Sequence, residues 1–323
     1  MTFSLKEIYK DYFNIGAAVN PSVIESHRDL ILQHFNSLTC ENEMKFGNIH
    51  PEENRYNFGP ADKVYSFAKE NNMLLRGHTL VWHWEIPEWL FENTNRETAL
   101  ARLDEHTRVL AERYPDIYAW DVLNEGIDDN KDGFLREKTP WLETVGEDYF
   151  ERVFEIAGKH LKDTTLFYND YNEFDSIKRE KYIRKIKEMQ KAGAPVSGIG
   201  LQCHLGLNHA VSFDEFKRGM EDYAKLGLKI HITELDVSLY PVEDKEMHSA
   251  PTFEQYKQQV KVYRELFKVL REYKKEIETV TFWGAADDVT WLNYFPVKGR
   301  KNGGLLFDEE HNPKEAFYAV CDF

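Results

Sequence analysis

The sequence predicts an α/β fold, a single (β/α)8 barrel of the TIM type occupying residues 1–323. Three observations lead there. Short apolar or β-branched runs alternate with longer amphipathic stretches, the pattern of repeated βα units around a parallel sheet. Eight such units can be counted, enough to close a barrel. No Gly/Ser-rich linker, low-complexity tract or abrupt change of composition divides the 323 residues, a length suited to one barrel of about 250 residues plus its loops.

In order, the candidate strands end near Ala17, Thr39, Trp82, Glu125, Asp170, His204, Glu234 and Trp283. Helical periodicity covers residues 22–36, 60–71, 96–113, 147–160, 175–191, 213–226, 252–275 and 313–320. The longest irregular stretches are Ile127–Gly146, Ser238–Thr252 and Asp287–Asn312, each after a strand end. In a barrel such βα loops form the active-site face.

Composition narrows the partners. With 42% hydrophobic and 30% charged residues the chain can bury a large core under a solvated surface. Its 56 acidic and 41 basic residues give a formal charge of −15, a field that repels nucleic-acid phosphates and anionic lipid headgroups. A neutral small molecule or polysaccharide is the better match. Met1–Tyr12 mixes apolar residues with Lys6, Glu7, Lys10 and Asp11, so no apolar signal core is expected there. No later stretch approaches the roughly 20 apolar residues of a membrane span. Cys40, Cys203 and Cys321 are odd in number and outside any CxxC pattern, which suits buried thiols in a reducing compartment. These features together predict a cytoplasmic location.

Two strand ends carry chemistry. The fourth reads Ile117-Tyr118-Ala119-Trp120-Asp121-Val122-Leu123-Asn124-Glu125, and the seventh reads Lys229-Ile230-His231-Ile232-Thr233-Glu234-Leu235-Asp236. Both place a Glu where the strand opens onto the catalytic face. Two carboxylates about 5–5.5 Å apart are what double-displacement glycoside hydrolysis requires. Taken singly, an acidic residue at a strand end also serves as the N-cap of the next helix.

The remaining strand ends carry further motifs. They are Phe35-Asn36-Ser37-Leu38-Thr39-Cys40-Glu41-Asn42-Glu43-Met44-Lys45, Gly77-His78-Thr79-Leu80-Val81-Trp82-His83, Tyr168-Asn169-Asp170-Tyr171-Asn172 and Ile199-Gly200-Leu201-Gln202-Cys203-His204. Phe282-Trp283-Gly284 follows, with Asp287-Asp288, Trp291 and Leu305-Leu306-Phe307-Asp308. In this order and spacing, over nearly the whole chain, the sequence resembles the family 10 glycoside hydrolases, chiefly xylanases.

The resemblance implies a retaining endo-β-1,4-xylanase acting on xylan fragments and xylo-oligosaccharides, with no cofactor and no metal ligand. Glu125 matches the acid/base, whose pKa must be raised, and Glu234 the nucleophile, which must stay ionised. Asn124 matches the residue that grips the sugar 2-hydroxyl at subsite −1. His204 matches the imidazole on the nucleophile, with Asp236 orienting it from behind, and Gln202 and Tyr171 match sugar contacts. Glu41, Asn42 and Lys45 correspond to subsite −2. His78, Trp82, Trp283 and Trp291 correspond to the lining of subsite −1. Trp89, Trp120 and Trp141 read as core packing.

Two departures stand out. Trp84-Glu85 replaces the Ser-Gln common after the Trp-His, which narrows the glycone side and favours short or undecorated chains. Leu205 replaces the aromatic residue often found after Gln-x-His, which weakens aglycone stacking. A β-1,4-glucanase, mannanase or β-xylosidase could use the same carboxylate pair. A metal-dependent barrel hydrolase would place histidines on the first strand, and Tyr12–Ala18 has none. A non-catalytic carbohydrate-binding barrel should have lost one carboxylate. Gly303-Gly304 lacks the phosphate-loop pattern and reads as a tight turn. The sequence leaves the oligomeric state open.

Overall fold

The computed structural model describes residues 4–207 and 212–323, so Met1–Phe3 of the N-terminal stretch lie outside it. Its strands are β1 (Asn14–Val19), β2 (Ser37–Cys40), β3 (Leu74–Val81), β4 (Ala119–Asn124), β5 (Thr165–Asp170), β6 (Gly198–Leu201), β7 (His204–Gly206), β8 (Lys229–Ser238) and β9 (Ile277–Phe282). All pairings between them are parallel, and the ring closes because β1 pairs with both β2 and β9 while β6 pairs with β8. Eight strands therefore form a closed (β/α)8 barrel. The short β7 extends beside the outer half of β8, with His204 opposite Asp236.

Each strand delivers the chain to a helix that covers it. Arg96–Arg113, Tyr149–His160, Ser176–Ala192, Phe213–Ala224 and Phe253–Glu272 fall within a few residues of the periodic stretches. Their ends are written in local chemistry. Asp175 accepts from the backbone N–H groups of Ile177 and Lys178, and Gly193 ends that helix in the left-handed region at φ 80°. Thr252 and Gln255 make a reciprocal capping box. Strand residues such as Ile15, Val19, Leu38, Val122, Ile199, Ile230 and Val280 are fully buried.

Several expectations need correction. The stretch 22–36 is two helices, Pro21–Ser26 and Arg28–His34, separated by His27 at ψ 19°, whose ring is buried against Asp288. The fourth strand begins at Ala119 rather than Ile117, and Glu125 lies one residue beyond its end at φ 57°. The sixth strand breaks at Gln202-Cys203, where Cys203 has φ 57°. The loop Ile127–Gly146 contains the helix Pro140–Val145, and Asp287–Asn312 contains two short 3-10 turns. Trp120 and Trp141 are buried, whereas Trp89 is only partly buried and donates to the His50 carbonyl. All three cysteines are free thiols as expected, but only Cys40 and Cys203 are buried, whereas Cys321 is partly exposed.

Candidate active site

The C-terminal ends of β4, β5, β6 and β8 converge on one polar cluster. Asn169, at the end of β5, donates through Nδ2 to Asn124 Oδ1 and to Glu234 Oε1, both at 2.8 Å. Its side-chain carbonyl oxygen accepts from Thr233 Oγ1 at 2.7 Å, which fixes the amide's orientation. Gln202 donates to Glu125 Oε1 at 3.0 Å and to Asn124 Oδ1 at 3.3 Å. The two carboxylates are thus joined through one asparagine carbonyl. Because Asn124 Oδ1 accepts twice, its Nδ2 is left as a donor. Gly200 makes this close packing possible, since a Cβ there would lie 2.3 Å from Asn169 Oδ1.

Around Glu234 the charges are opposite and paired. His204 Nε2 lies 3.1 Å from Glu234 Oε2, and its Nδ1 lies 3.0 Å from Asp236 Oδ2. Trp291 donates to the same Asp236 oxygen at 2.7 Å. Burial alone would discharge His204, but Asp236 and Glu234 outweigh it and hold the imidazole well above its usual range. Burial also opposes the Glu234 carboxylate. The His204 hydrogen bond, the nearby His78 and the Asn169 donor overcome that and hold its pKa at about 2.

Glu125 meets the reverse balance. Burial raises its pKa, and Asp170 and Glu234 push in the same direction, while Gln202 and the Trp82 indole, donating at 2.8 Å, offset only part. The nearest imidazole, His83 at 3.9 Å, is held down at about 4 by burial and by Arg136, so it supplies no positive charge. The Glu125 pKa is thus pushed up where that of Glu234 is pushed down.

The flanks follow from neighbouring loops. After β2, Lys45 donates to Asn42 Oδ1 at 2.8 Å and places its ammonium 4.9 Å from the Trp82 ring centre. Glu41 sits beside Lys45, its carboxyl raised by burial. Trp141 donates to the Trp82 carbonyl at 3.1 Å. Trp283 lies edge-on to both His78 and His204, with ring centres 5.3 and 6.4 Å away. His78 is oriented by Asp121 at 2.8 Å, and Asp121 also pairs with the buried Arg76. The Tyr171 hydroxyl donates to Asp129 and accepts from Arg136 at 2.8 Å.

All fourteen sequence-predicted residues lie on this face. Sequence reasoning left Asn169, Arg136, Asp129, Asp121 and Thr233 without roles. Asn169 and Asp121 stood inside strand-end motifs, so their inward-facing positions were the available signal. Arg136, which donates from Nε to the Glu125 carbonyl at 2.8 Å, had no such signal because it arrives from an irregular loop. Trp84 is 64% exposed, and the carbonyl of Glu85, in the left-handed region, accepts from Gly47 N at 2.7 Å. The Trp84-Glu85 departure is thereby tied to the loop carrying Asn42 and Lys45.

A closed barrel with two carboxyl groups at its mouth, one pushed up by burial and the other held down by a paired imidazole, is the arrangement of a glycoside hydrolase. The chain belongs to glycosyl hydrolase family 10, whose model matches residues 4–323. It is similar to endo-1,4-beta-xylanase A of Caldicellulosiruptor saccharolyticus, at 48% identity over 100% of this chain and 96% of that protein. It is also similar to the crystal structure of an endo-1,4-beta-xylanase from Caldicellulosiruptor owensensis, with TM-score 0.96, 46% identity and 99% of each chain covered. A mutant structure in complex with xylotriose matches with TM-score 0.97 at 44% identity, covering 100% of both chains.

Proposed function

We propose that this chain is a retaining endo-1,4-β-xylanase acting on xylan fragments and xylo-oligosaccharides, with Glu234 as nucleophile and Glu125 as acid/base. The observation that carries the reading is geometric: at the barrel mouth Glu125 and Glu234 are joined through Gln202, Asn124 and Asn169 in one polar cluster, with His204 3.1 Å from Glu234. The naming of the relatives supports the sugar and the endo mode.

In the first step the Glu234 carboxylate attacks the anomeric carbon while the Glu125 proton passes to the departing glycosidic oxygen. An α-linked glycosyl ester results. Glu125, now a carboxylate, takes a proton from water as that water displaces Glu234, which restores the β configuration and the starting protonation states. Asn124 Nδ2 donates to the sugar 2-hydroxyl, a contact that strengthens in the oxocarbenium-like transition state. Glu41, Asn42 and Lys45 hold the glycone, Trp82, Trp283, Trp291 and His78 enclose the ring at subsite −1, and Gln202 and Tyr171 contact sugar beside Glu125. The free thiols of Cys40, Cys203 and Cys321 support a reducing, cytoplasmic setting with imported oligosaccharides as substrate.

Xylohexaose hydrolysis, followed by product length and by proton NMR before mutarotation, tests the reading. Internal cleavage with the β anomer formed first is expected. Sequential release of xylose would make it a β-xylosidase, faster turnover of cello- or manno-oligosaccharides would change the substrate, and a first-formed α anomer would overturn retention.

A further inference from the structure

Outside the cleft, the structure gathers three potential metal ligands from distant parts of the sequence. His27 sits between the two helices after β1, Asp288 lies in the 3-10 turn Asp287–Val289 after β9, and His311 stands in the loop before the last helix. Their ligand atoms all lie within 4.8 Å of one another. His27 Nε2 is 3.0 Å from Asp288 Oδ1, and His311 Nε2 is 3.7 Å from Asp288 Oδ2. Tetrahedral ligands about 2.0–2.1 Å from a zinc ion stand about 3.3 Å from each other, so these separations bracket what a bound ion requires.

Two further features favour a built site. The His27 ring, 2% exposed, is engaged at Nδ1 by Ser26 Oγ at 2.8 Å, which turns Nε2 toward Asp288 as an outer partner does for a metal-binding imidazole. His311 is held at φ 67° by a turn in which its N–H donates to the Asp308 carbonyl and Asp308 Oδ1 accepts from Asn312 N. Asp288 and His311 remain about one-third exposed, which leaves an entry path and room for a water as fourth ligand.

We propose that His27, Asp288 and His311 form a structural zinc site that staples the first βα unit to the last. Two imidazoles and one carboxylate suit Zn2+ over Mg2+ or Ca2+, which prefer all-oxygen shells. His27 and Asp288 are 261 residues apart, and the unfolded chain does not hold them together. The ion therefore binds the closed barrel in preference to the open chain and stabilises it.

The test uses the full chain freed of metal by a chelator, with Zn2+ and Co2+ as probes. At a hundredfold excess over Kd, Zn2+ should raise the Tm by about 5 °C. Co2+ should give the visible bands of a four-coordinate site. His311→Ala, at a partly exposed loop position, should lose both responses while retaining metal-free xylanase activity, and Asp288→Asn should weaken both. His27 is buried and its replacement could unfold the chain, so the test rests on the two partly exposed ligands. A wild-type chain without a Zn2+-dependent rise and without Co2+ bands overturns the proposal. So does a His311→Ala variant that keeps both responses.

Discussion

Glu125 and Glu234 stand one residue past β4 and near the middle of β8, joined through Asn124, Gln202 and Asn169. Both are largely buried, and burial pushes both carboxyl pKa values up, a push that is overcome at Glu234 alone. What separates them is the charge of their partners. Glu234 faces an imidazolium that Asp236 keeps charged, whereas Glu125 faces a neutral amide, a neutral indole and two further carboxylates. Acid and nucleophile are thus set by the neighbours' charge, and that difference can be broken in graded ways.

The largest effect is expected at the nucleophile. Glu234→Gln should abolish turnover of every substrate, because an amide cannot form the glycosyl ester, and steady-state assays on xylo-oligosaccharides measure it. Glu125→Ala should cost roughly 10²–10⁴-fold with natural glycosides. Aryl xylosides with good leaving groups should lose far less in glycosylation, and equal losses for both substrate types would refute the acid role.

Asp236→Asn attacks the comparison from behind. Without that charge His204 loses its chief source of positive character, and the Glu234 pKa rises from about 2. The active form needs Glu234 ionised and Glu125 protonated, so activity rises with pH through the first pKa and falls through the second. The acidic limb of kcat/KM should therefore move to higher pH, while the alkaline limb, set by Glu125, moves little. An unmoved acidic limb would mean that His204 is not the group holding Glu234 ionised.

The smallest effect on turnover is expected at Glu173, which accepts from Cys203 N at 2.8 Å behind the break that carries Gln202 and His204. Burial raises its pKa from 4.5 to about 7. The folded state holds this proton and the unfolded state releases it between those values, so the group's contribution is fully present below pH 4.5 and is lost as pH rises to about 7. The loss is roughly 3 kcal/mol. Glu173→Gln keeps an acceptor for Cys203 N and should flatten the pH dependence of unfolding free energy across that window, with little change in kcat at neutral pH.

Apolar strand runs made the eight-unit barrel legible and the Asn124-Glu125 and Thr233-Glu234 motifs the catalytic pair, although Glu125 falls one residue past β4 at φ 57° and β8 runs on past Glu234 to Ser238. Helix breaks were less legible. His27 sits inside a continuous amphipathic pattern, and its inward ring is accounted for by tertiary contacts with Asp288 and His311 that the local pattern does not show. Charge states were hidden for the same reason. Asp129 acts on the cleft through Tyr171 and Lys178, distant in sequence, and Arg136 reaches it from an irregular loop, so local spacing carries no record of either. Trp84 and Glu85 were visible as a departure, but their link to the β2 loop depends on a backbone hydrogen bond to Gly47.

The central claim is that Glu234 is the ionised carboxylate that becomes covalently bonded to the sugar. A xylobioside with fluorine at the 2-position of the reacting sugar and a good leaving group slows both steps, so the glycosyl ester accumulates. Mass spectrometry of peptides from the trapped protein should find one fluoroxylobiosyl adduct on the peptide containing Glu234, with activity lost in parallel. An adduct on Glu125, or inactivation without any adduct on Glu234, would contradict the account.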